Sequence, residues 1–450
     1  MGTFQESVLV GATIVTASST EELLTWAGGA AHMSITGVGL TYANGLLSGG
    51  VVTGLEVASA SGRFILTGAH TDGAILGQAY LTNDAQLSIS SLLSGDDVIE
   101  VMSTTPPATG TVFTAMGWSG DDRLIGGGTQ CNLYGGDGND TLSGGAGDDL
   151  LDGGAGVDVA LYGGARANYS LAPSRSGVWD VQDLRPGRPD GQDALRGIEI
   201  VQFSDGAMSL PDPTVALEVG LVLRLDALTG AGGVMAGDLT TQLAAGLVSA
   251  NDVVHSLVKA AGTTTSVATL SYEFFTGKAP SAGGTDYLVS PTGPNANNLN
   301  SAYYQSFSLE NRYINFAVNL GKVGEGSASF TAQYGPLSLF DATRQAYATI
   351  FGATPSDAKL HALLDPTTVL NGQSFSRADY FAYYGGDGPN GLGAKAAMVG
   401  WLLAEAEKAD LGTYALSNDA FLTDVALHGA PFGVDLVGAY AQPGFVFHPG

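Results

Sequence analysis

The chain has one cysteine, Cys131, in 450 residues, so no intrachain disulfide can form. That excludes an extracellular fold stapled by cystines but not one stapled by metal. Basic residues are also scarce: 17 Lys and Arg stand against 43 Asp and Glu, a formal charge of −26. Nucleic acid and bare anionic lipid both require clustered Lys and Arg, so neither is expected as a partner. The first basic residue is Arg63, so the positively charged region that opens a cleaved secretory signal is missing. If the protein is exported, it is expected to use a route without such a signal. No apolar run reaches about 18 residues, so no transmembrane segment is expected.

Catalytic signatures are missing too. His32, His70, His255, His361, His428 and His448 include no pair four residues apart, so the zinc-protease helix motif is absent. No Gly-x-Ser-x-Gly elbow and no phosphate-binding loop occur. Cys131 lies inside a repeat, which argues against a role as nucleophile. A non-enzymatic protein is therefore expected, with a hydrolase hidden in 1–116 as the less favoured reading.

Glycine, by contrast, is abundant at 66 residues, about twice the usual share. It is concentrated in five successive nine-residue frames that start at Gly117, Gly126, Gly135, Gly144 and Gly153. Three of them read GGDGNDTLS, GGAGDDLLD and GGAGVDVAL. In each frame six residues form a turn whose backbone carbonyls converge, and in four of the five the sixth residue, an Asp, adds a carboxylate. Such a set of hard oxygens suits Ca²⁺, which takes six to eight of them. The eighth residues, Leu124, Leu133, Leu142, Leu151 and Ala160, are expected to point inward.

Two frames make one coil of a parallel β-roll, so turns on one edge recur every 18 residues. One edge carries Asp122, Asp140 and Asp158 and is expected to hold two ions between successive turns. The other carries Cys131 and Asp149. There Thr129 replaces the fourth glycine and Cys131 the aspartate, so a weak or absent site is expected. Carbonyl ligands are expected from Gly117, Ser119, Gly135, Asp137, Gly144, Ala146 and Gly153. A partial frame, Ser94 to Ile99, is expected to seed the roll. Folding and metal binding should be coupled, because the clustered carboxylates repel one another without the cation.

These frames resemble the RTX (hemolysin-type) calcium-binding repeats. That resemblance implies export by type I secretion machinery, with an uncleaved C-terminal signal. The segment DALRGIEIVQFSDG (193–206) also resembles RTX material, which implies that it closes the roll. Ile198, Ile200 and Phe203 are expected to cover the open end, with a hairpin turn at Ser204, Asp205 and Gly206.

The runs SYEFFTGKAPSAGGTDYLV (271–289), NLNSAYY (298–304) and ENRYINFAVNL (310–320) carry a second resemblance. They are similar to the anchoring domain of the RTX-type surface-layer protein of stalked alphaproteobacteria. The resemblance implies binding to the O-antigen glycan of outer-membrane lipopolysaccharide. Here the anchor-like domain follows the repeats, and the long lattice-forming roll of that family is absent. Tyr304, Asn311, Arg312 and Asn315 are the candidate glycan ligands, since aromatic faces, amides and guanidinium groups suit sugars. Tyr303, Phe307, Tyr313 and Phe316 read better as the core stripe of a helix, which leaves the polar members as the better ligand candidates.

The expected fold is multidomain: a β-rich N-terminal half with a calcium-bound parallel β-roll, then a mostly α-helical C-terminal domain. The expected limits are a β-rich domain over 1–116, the roll over 117–166, a closing module and linker over 167–212 and the helical domain over 213–450. Short strands in a sandwich or irregular solenoid are expected in 1–116, with one helix signal at Thr20 to Trp26. The expected function is that of a secreted, calcium-binding cell-surface protein. It would be held to lipopolysaccharide, or assemble as a homo-oligomer into a surface layer or filament. The alternative is a self-assembling matrix fibre without a glycan anchor.

Overall fold

The computed structural model describes residues 13–17, 21–25, 31–43, 46–59, 62–72, 95–102, 112–128, 130–370 and 373–441. Thr129 and the last nine residues of the expected export-signal region lie outside them. The chain divides into two compact units, 1–214 and 215–450.

The first unit is β-rich. Strands β1 (Thr13–Ala17), β2 (Glu21–Thr25), β3 (Ala31–Ala43), β4 (Leu46–Ser59) and β5 (Gly62–Asp72) form an antiparallel meander. Strands of 13, 14 and 11 residues replace the short strands expected here. The alternation that sustains them is visible where Val51 is 41% exposed and Val52 is fully buried. Gly37 sits at a register shift where a Cβ would meet the Val51 carbonyl at 2.3 Å. The helix expected at Thr20 to Trp26 is corrected: Glu21–Thr25 is β2, paired with β1 and β3. Local helix preference is worth only tenths of a kcal/mol per residue, and two flanking ladders outweigh it.

Strand β6 (Val98–Met102) continues this sheet from β5 and is the first to run parallel to its next neighbour. The chain then coils between two sheets. β7 (Phe113–Ser119), β9 (Cys131–Asp137) and β11 (Leu150–Ala155) lie in one. β8 (Arg123–Ile125), β10 (Thr141–Ser143) and β12 (Val159–Leu161) lie in the other. All these pairs are parallel, in the register Leu124–Leu142–Ala160 and Leu133–Leu151. Leu124, Leu133, Leu142, Leu151 and Ala160 have no exposed surface. Each buried leucine contributes roughly 1.5–3 kcal/mol. A nine-residue period therefore becomes two stacked faces with one aliphatic column between them.

The roll does not stop at the repeats. β13 (Tyr169–Pro173), β14 (Trp179–Asp183) and β15 (Gln192–Arg196) extend the β7–β9–β11 sheet. β16 (Ile200–Phe203) and β17 (Gly206–Ser209) extend the other as a hairpin, with Phe203 opposite Gly206. Ile198 and Phe203 are buried as expected, but Val201, not Ile200, is the inward residue of β16. Phe203, two positions on, shares its phase, and Ile200 stands on the half-buried side. Tyr162, Tyr169 and Phe203 pack their rings together at 5.1–6.0 Å.

The second unit is mostly α-helical. Its centre is the helix Leu392–Ala409, buried along most of its length. It lies against the helix Leu309–Lys322 so closely that a Cβ on Gly400 would meet the Tyr313 carbonyl at 2.5 Å. Lys395, in the same helix, is buried with Nζ donating to the carbonyls of Tyr334 and Gly335, each at 3.0 Å. Serines open several helices: Ser249, Ser281, Ser301, Ser308, Ser338, Ser356 and Ser376 each accept from a backbone N–H in the first turn. No helix among the described residues is long and apolar enough to cross a membrane.

Candidate metal centre

Three kinds of glycine build the turns. At the second frame position Gly136, Gly145 and Gly154 have φ of 122°, 88° and 100°, and at the fourth Gly120, Gly138, Gly147 and Gly156 have φ of 119–149°. These conformations favour glycine over any residue with a Cβ. Trp118 holds the second position of the first frame at φ 76°. First-position glycines have no such φ and answer a need for space. A Cβ on Gly117 would meet Asp122 Oδ2 at 2.1 Å and the Gly135 carbonyl at 2.6 Å. A Cβ on Gly135 would meet Asp140 Oδ2 at 2.1 Å and the Gly153 carbonyl at 2.5 Å. Each cradle thus brings a carboxylate oxygen next to a carbonyl oxygen of the following turn.

The carboxylates form a ladder. Asp140 Oδ1 accepts from the Asp122 N–H at 2.8 Å, and Asp158 Oδ1 from the Asp140 N–H at 2.7 Å. Asp122 Oδ1 accepts in turn from Asp97 N–H at 2.8 Å, which stacks the partial frame under the first full one. That step spans 25 residues instead of 18. On the other edge Asp149 Oδ1 accepts from the Cys131 N–H at 2.7 Å. The second oxygens of Asp122, Asp140, Asp149 and Asp158 are buried and have no hydrogen-bond partner. An orphaned carboxylate oxygen beside a carbonyl is costly unless a cation completes it, so this donor set fits a hard divalent ion. Among the described residues no three His, Cys, Asp or Glu side chains converge on one point. Any ion held here must therefore draw on backbone oxygens. Of the carbonyls expected as ligands, Ser119 O accepts from Gly95 N–H and Asp137 O from Gly120 N–H. Each keeps a second lone pair. Gly144 places Asp149 Oδ2 in its own cradle, and Ala146 donates its N–H to the Gly127 carbonyl.

At Cys131 the same cradle has a different lining. A Cβ on Gly126 would meet the Gly144 carbonyl at 2.2 Å and Cys131 Sγ at 3.0 Å. Burial raises the thiol pKa, so a neutral soft sulfur stands where the other turns have a carboxylate.

Two residues of this ladder escaped sequence reading. Asp193 Oδ1 accepts from Asp149 N–H at 2.9 Å, and Glu199 Oε2 from Asp158 N–H at 2.8 Å. They lie 44 and 41 residues along the chain from their partners, outside the period. The signal that finds them is a half-frame: GQDAL (191–195) matches GDDLL (147–151), and GIEIV (197–201) matches GVDVA (156–160). Asp193 Oδ2 is occupied, accepting from the Tyr162 hydroxyl at 2.8 Å.

Without a cation these buried carboxyls keep their protons to higher pH than exposed ones do. Burial first, and neighbouring carboxylates second, push Asp122 up to about 7 and Asp158 to about 6. Asp149 is pushed to about 6, and Asp193 to about 8, by burial and by Asp148, Asp149 and Asp190. A carboxyl whose folded pKa lies above its unfolded one stabilises the fold at low pH and loses that contribution as pH rises through the folded value. The metal-free roll is thus expected to melt at lower temperature as pH rises from 5 to 8. Excess calcium, which binds the ionised form, should abolish that slope. Thermal melts in chelator and in calcium at both pH values check this; parallel curves would contradict it.

The candidate glycan ligands do not form one exposed cluster. Arg312 is 8% exposed and donates to the carbonyls of Thr263, Gln305 and Phe307 at 2.9–3.2 Å. Asn311 is held by the Tyr380 hydroxyl at 2.7 Å and the Tyr384 hydroxyl at 3.2 Å. Asn315 lies half-buried one turn further on, and Tyr304 is half-buried against Tyr303 and Phe307. Tyr313 and Phe316 are core residues, whereas Tyr303 is 57% exposed.

Comparison with known proteins bears on both units. Residues 132–160 match the RTX calcium-binding nonapeptide repeat (4 copies), and residues 264–447 the RsaA N-terminal domain. No curated protein matches the chain. Among solved structures, the extracellular lipase LipA from Serratia marcescens matches at 21% identity with a TM-score of 0.13. That match takes in 23% of this chain and 16% of the lipase, so the chain spans a small part of that enzyme and the likeness says nothing of catalysis. The two families matched are structural ones, and they support an extracellular, calcium-binding, S-layer-like protein. The chain carries an RTX calcium-binding repeat and an RsaA N-terminal domain, the lipopolysaccharide-anchoring domain of an S-layer protein.

Proposed function

We propose that this chain is a non-enzymatic surface protein whose β-roll folds on calcium outside the cell and whose helical unit attaches it to outer-membrane lipopolysaccharide. The observation that carries the anchoring claim is the match of 264–447, which takes in most of the helical unit. Calcium is held between successive turns by Asp122, Asp140 and Asp158 on one edge and by Asp149 on the other. The carbonyls of the first and third frame positions, from Gly117 to Gly153, complete the ligand set. Four orphaned, buried carboxylate oxygens support this assignment. Calcium dependence suits export by type I secretion machinery: a chain that needs near-millimolar calcium stays unfolded where calcium is scarce and folds outside. Anchored copies assemble as a homo-oligomer, in a lattice or filament. In the helical unit the ligand face includes Tyr304 and Asn315. Asn311 and Arg312, tied to neighbouring groups, fix its shape.

The test uses the full chain in calcium. It is expected to cosediment with smooth lipopolysaccharide and not with material lacking O-antigen. Equal binding to both, or to neither, would sink the anchor. Ordered fibres of the calcium-loaded protein without any glycan, seen by electron microscopy, would favour the matrix-fibre reading instead.

A further inference from the structure

The roll's C-terminal end repeats the geometry of its interior with residues that belong to no repeat. At Gly117 and Gly135 the cradle joins the Oδ2 of that turn's aspartate to the carbonyl of the next first-position glycine. At Gly153 a Cβ would meet Asp158 Oδ2 at 2.5 Å and the Gly197 carbonyl at 2.1 Å. Gly197 thus stands where a sixth frame would place its first glycine. Asp158 is fully buried, and its Oδ2 has no hydrogen-bond partner. Glu199 then takes the sixth-position role, accepting from the Asp158 N–H. The turn is short: its acid stands two positions after the glycine that supplies the carbonyl, where in a repeat it stands five positions after. A glutamate, one methylene longer than aspartate, supplies the reach that a full turn would give. The backbone ladder continues through the junction, with Ile200 N–H donating to the Asp158 carbonyl at 3.0 Å. The other edge ends differently, because the Tyr162 hydroxyl already occupies Asp193 Oδ2.

We propose that the roll holds a further divalent cation, calcium, at this end, between the last repeat turn and the non-repeat turn Arg196–Glu199. Asp158 Oδ2 and the Gly197 carbonyl supply oxygens, and Glu199 supplies the second carboxylate. The closing segment is then a metal-completed end turn as well as an apolar lid. This proposal rests on the reading that the inter-turn gaps bind calcium, and its test separates the two.

Calcium is titrated into the full chain and bound ions are counted by native mass spectrometry. Glu199→Gln keeps the acceptor for Asp158 N–H but removes the charge. It is expected to load one ion fewer, or to need at least about tenfold more calcium for the last. An unsubstituted chain that binds several ions, with a variant that loads identically, overturns the end site alone. A chain that binds none overturns the calcium reading as well. Hydrogen exchange on the unsubstituted chain gives a second readout that no folding defect can confound. Peptides spanning 196–201 should gain protection on calcium addition together with those of 117–158. Protection of the repeats without any change at 196–201 would overturn the end site.

Discussion

Chelating calcium at pH 8, where most of the roll's buried carboxyls are ionised, is expected to unfold the roll while leaving the helical unit folded. The roll's turns place buried carboxylates one above another, four of them with an orphaned oxygen. At the cradles of Gly117, Gly135 and Gly153 the nearest atoms among the described residues come from aspartate and glycine. Each bound ion stabilises the roll by about 2.7 kcal/mol when free calcium stands at roughly 100 times its dissociation constant. Loss of two or three ions together, about 5–8 kcal/mol, reaches the margin of about 5–15 kcal/mol by which an ordinary domain is folded. The helical unit depends on none of this. Its core is aliphatic and aromatic around Leu392–Ala409, and its buried Lys395 is satisfied by backbone carbonyls. Hydrogen exchange of the full chain in excess chelator should show fast exchange across 112–161 and retained protection across 392–409. Retained protection in both would show that the roll stands without metal.

The second large effect is expected at Asp140. Its carboxylate lies between two intact turns, capping the Asp122 N–H through Oδ1 while Oδ2 faces the Gly153 carbonyl across the cradle of Gly135. Asp140→Ala removes a charged ligand from the middle of the ladder and leaves a buried N–H unpaired, itself a cost of about 1–3 kcal/mol. The calcium midpoint of folding should rise roughly tenfold or more. Asp149→Ala should shift it only a few-fold. Its neighbours on that edge are Cys131, which brings no anion, and Asp193, already bonded to Tyr162. Calcium titrations followed by far-ultraviolet circular dichroism decide this, and equal shifts for the two variants would contradict the unequal edges.

How far the sequence carries depends on the period. Where the nine-residue frame is unbroken, one register fixes everything, and the five eighth-position residues are indeed fully buried. Where insertions break it, the same physics continues unseen. Glu199 and Asp193 extend the ladder from half-frames 41 and 44 residues away, outside the period, and the stacking of backbones shows which turns they join. The inward residue of β16 is Val201, one position from the expected Ile200, for a related reason. A strand's phase is set by the ladder it joins, and Ile and Val are equally suited to either face. At Glu21–Thr25 pairing on both sides overrode a local helix signal. In the helical unit the spacing of ENRYINF announced a helix, but nothing in it told that Arg312 turns inward to three carbonyls. Those carbonyls belong to two connecting segments whose path only the fold defines.

The alternation of the two sheets also constrains how such an array can change over generations. Every repeat delivers its strand to the sheet opposite its predecessor, and the closing segment delivers β15 to one sheet and β16 to the other. Gain or loss of one nonapeptide would exchange the sheets for every later strand. Such a change between the repeat frames and the closing segment would bring Glu199 beneath the wrong column and take Asp193 away from Asp149. Duplication or deletion of an 18-residue pair leaves each partner where it was. The heritable unit of this roll is therefore the full coil, and lineages that lengthen or shorten it should differ by even numbers of frames.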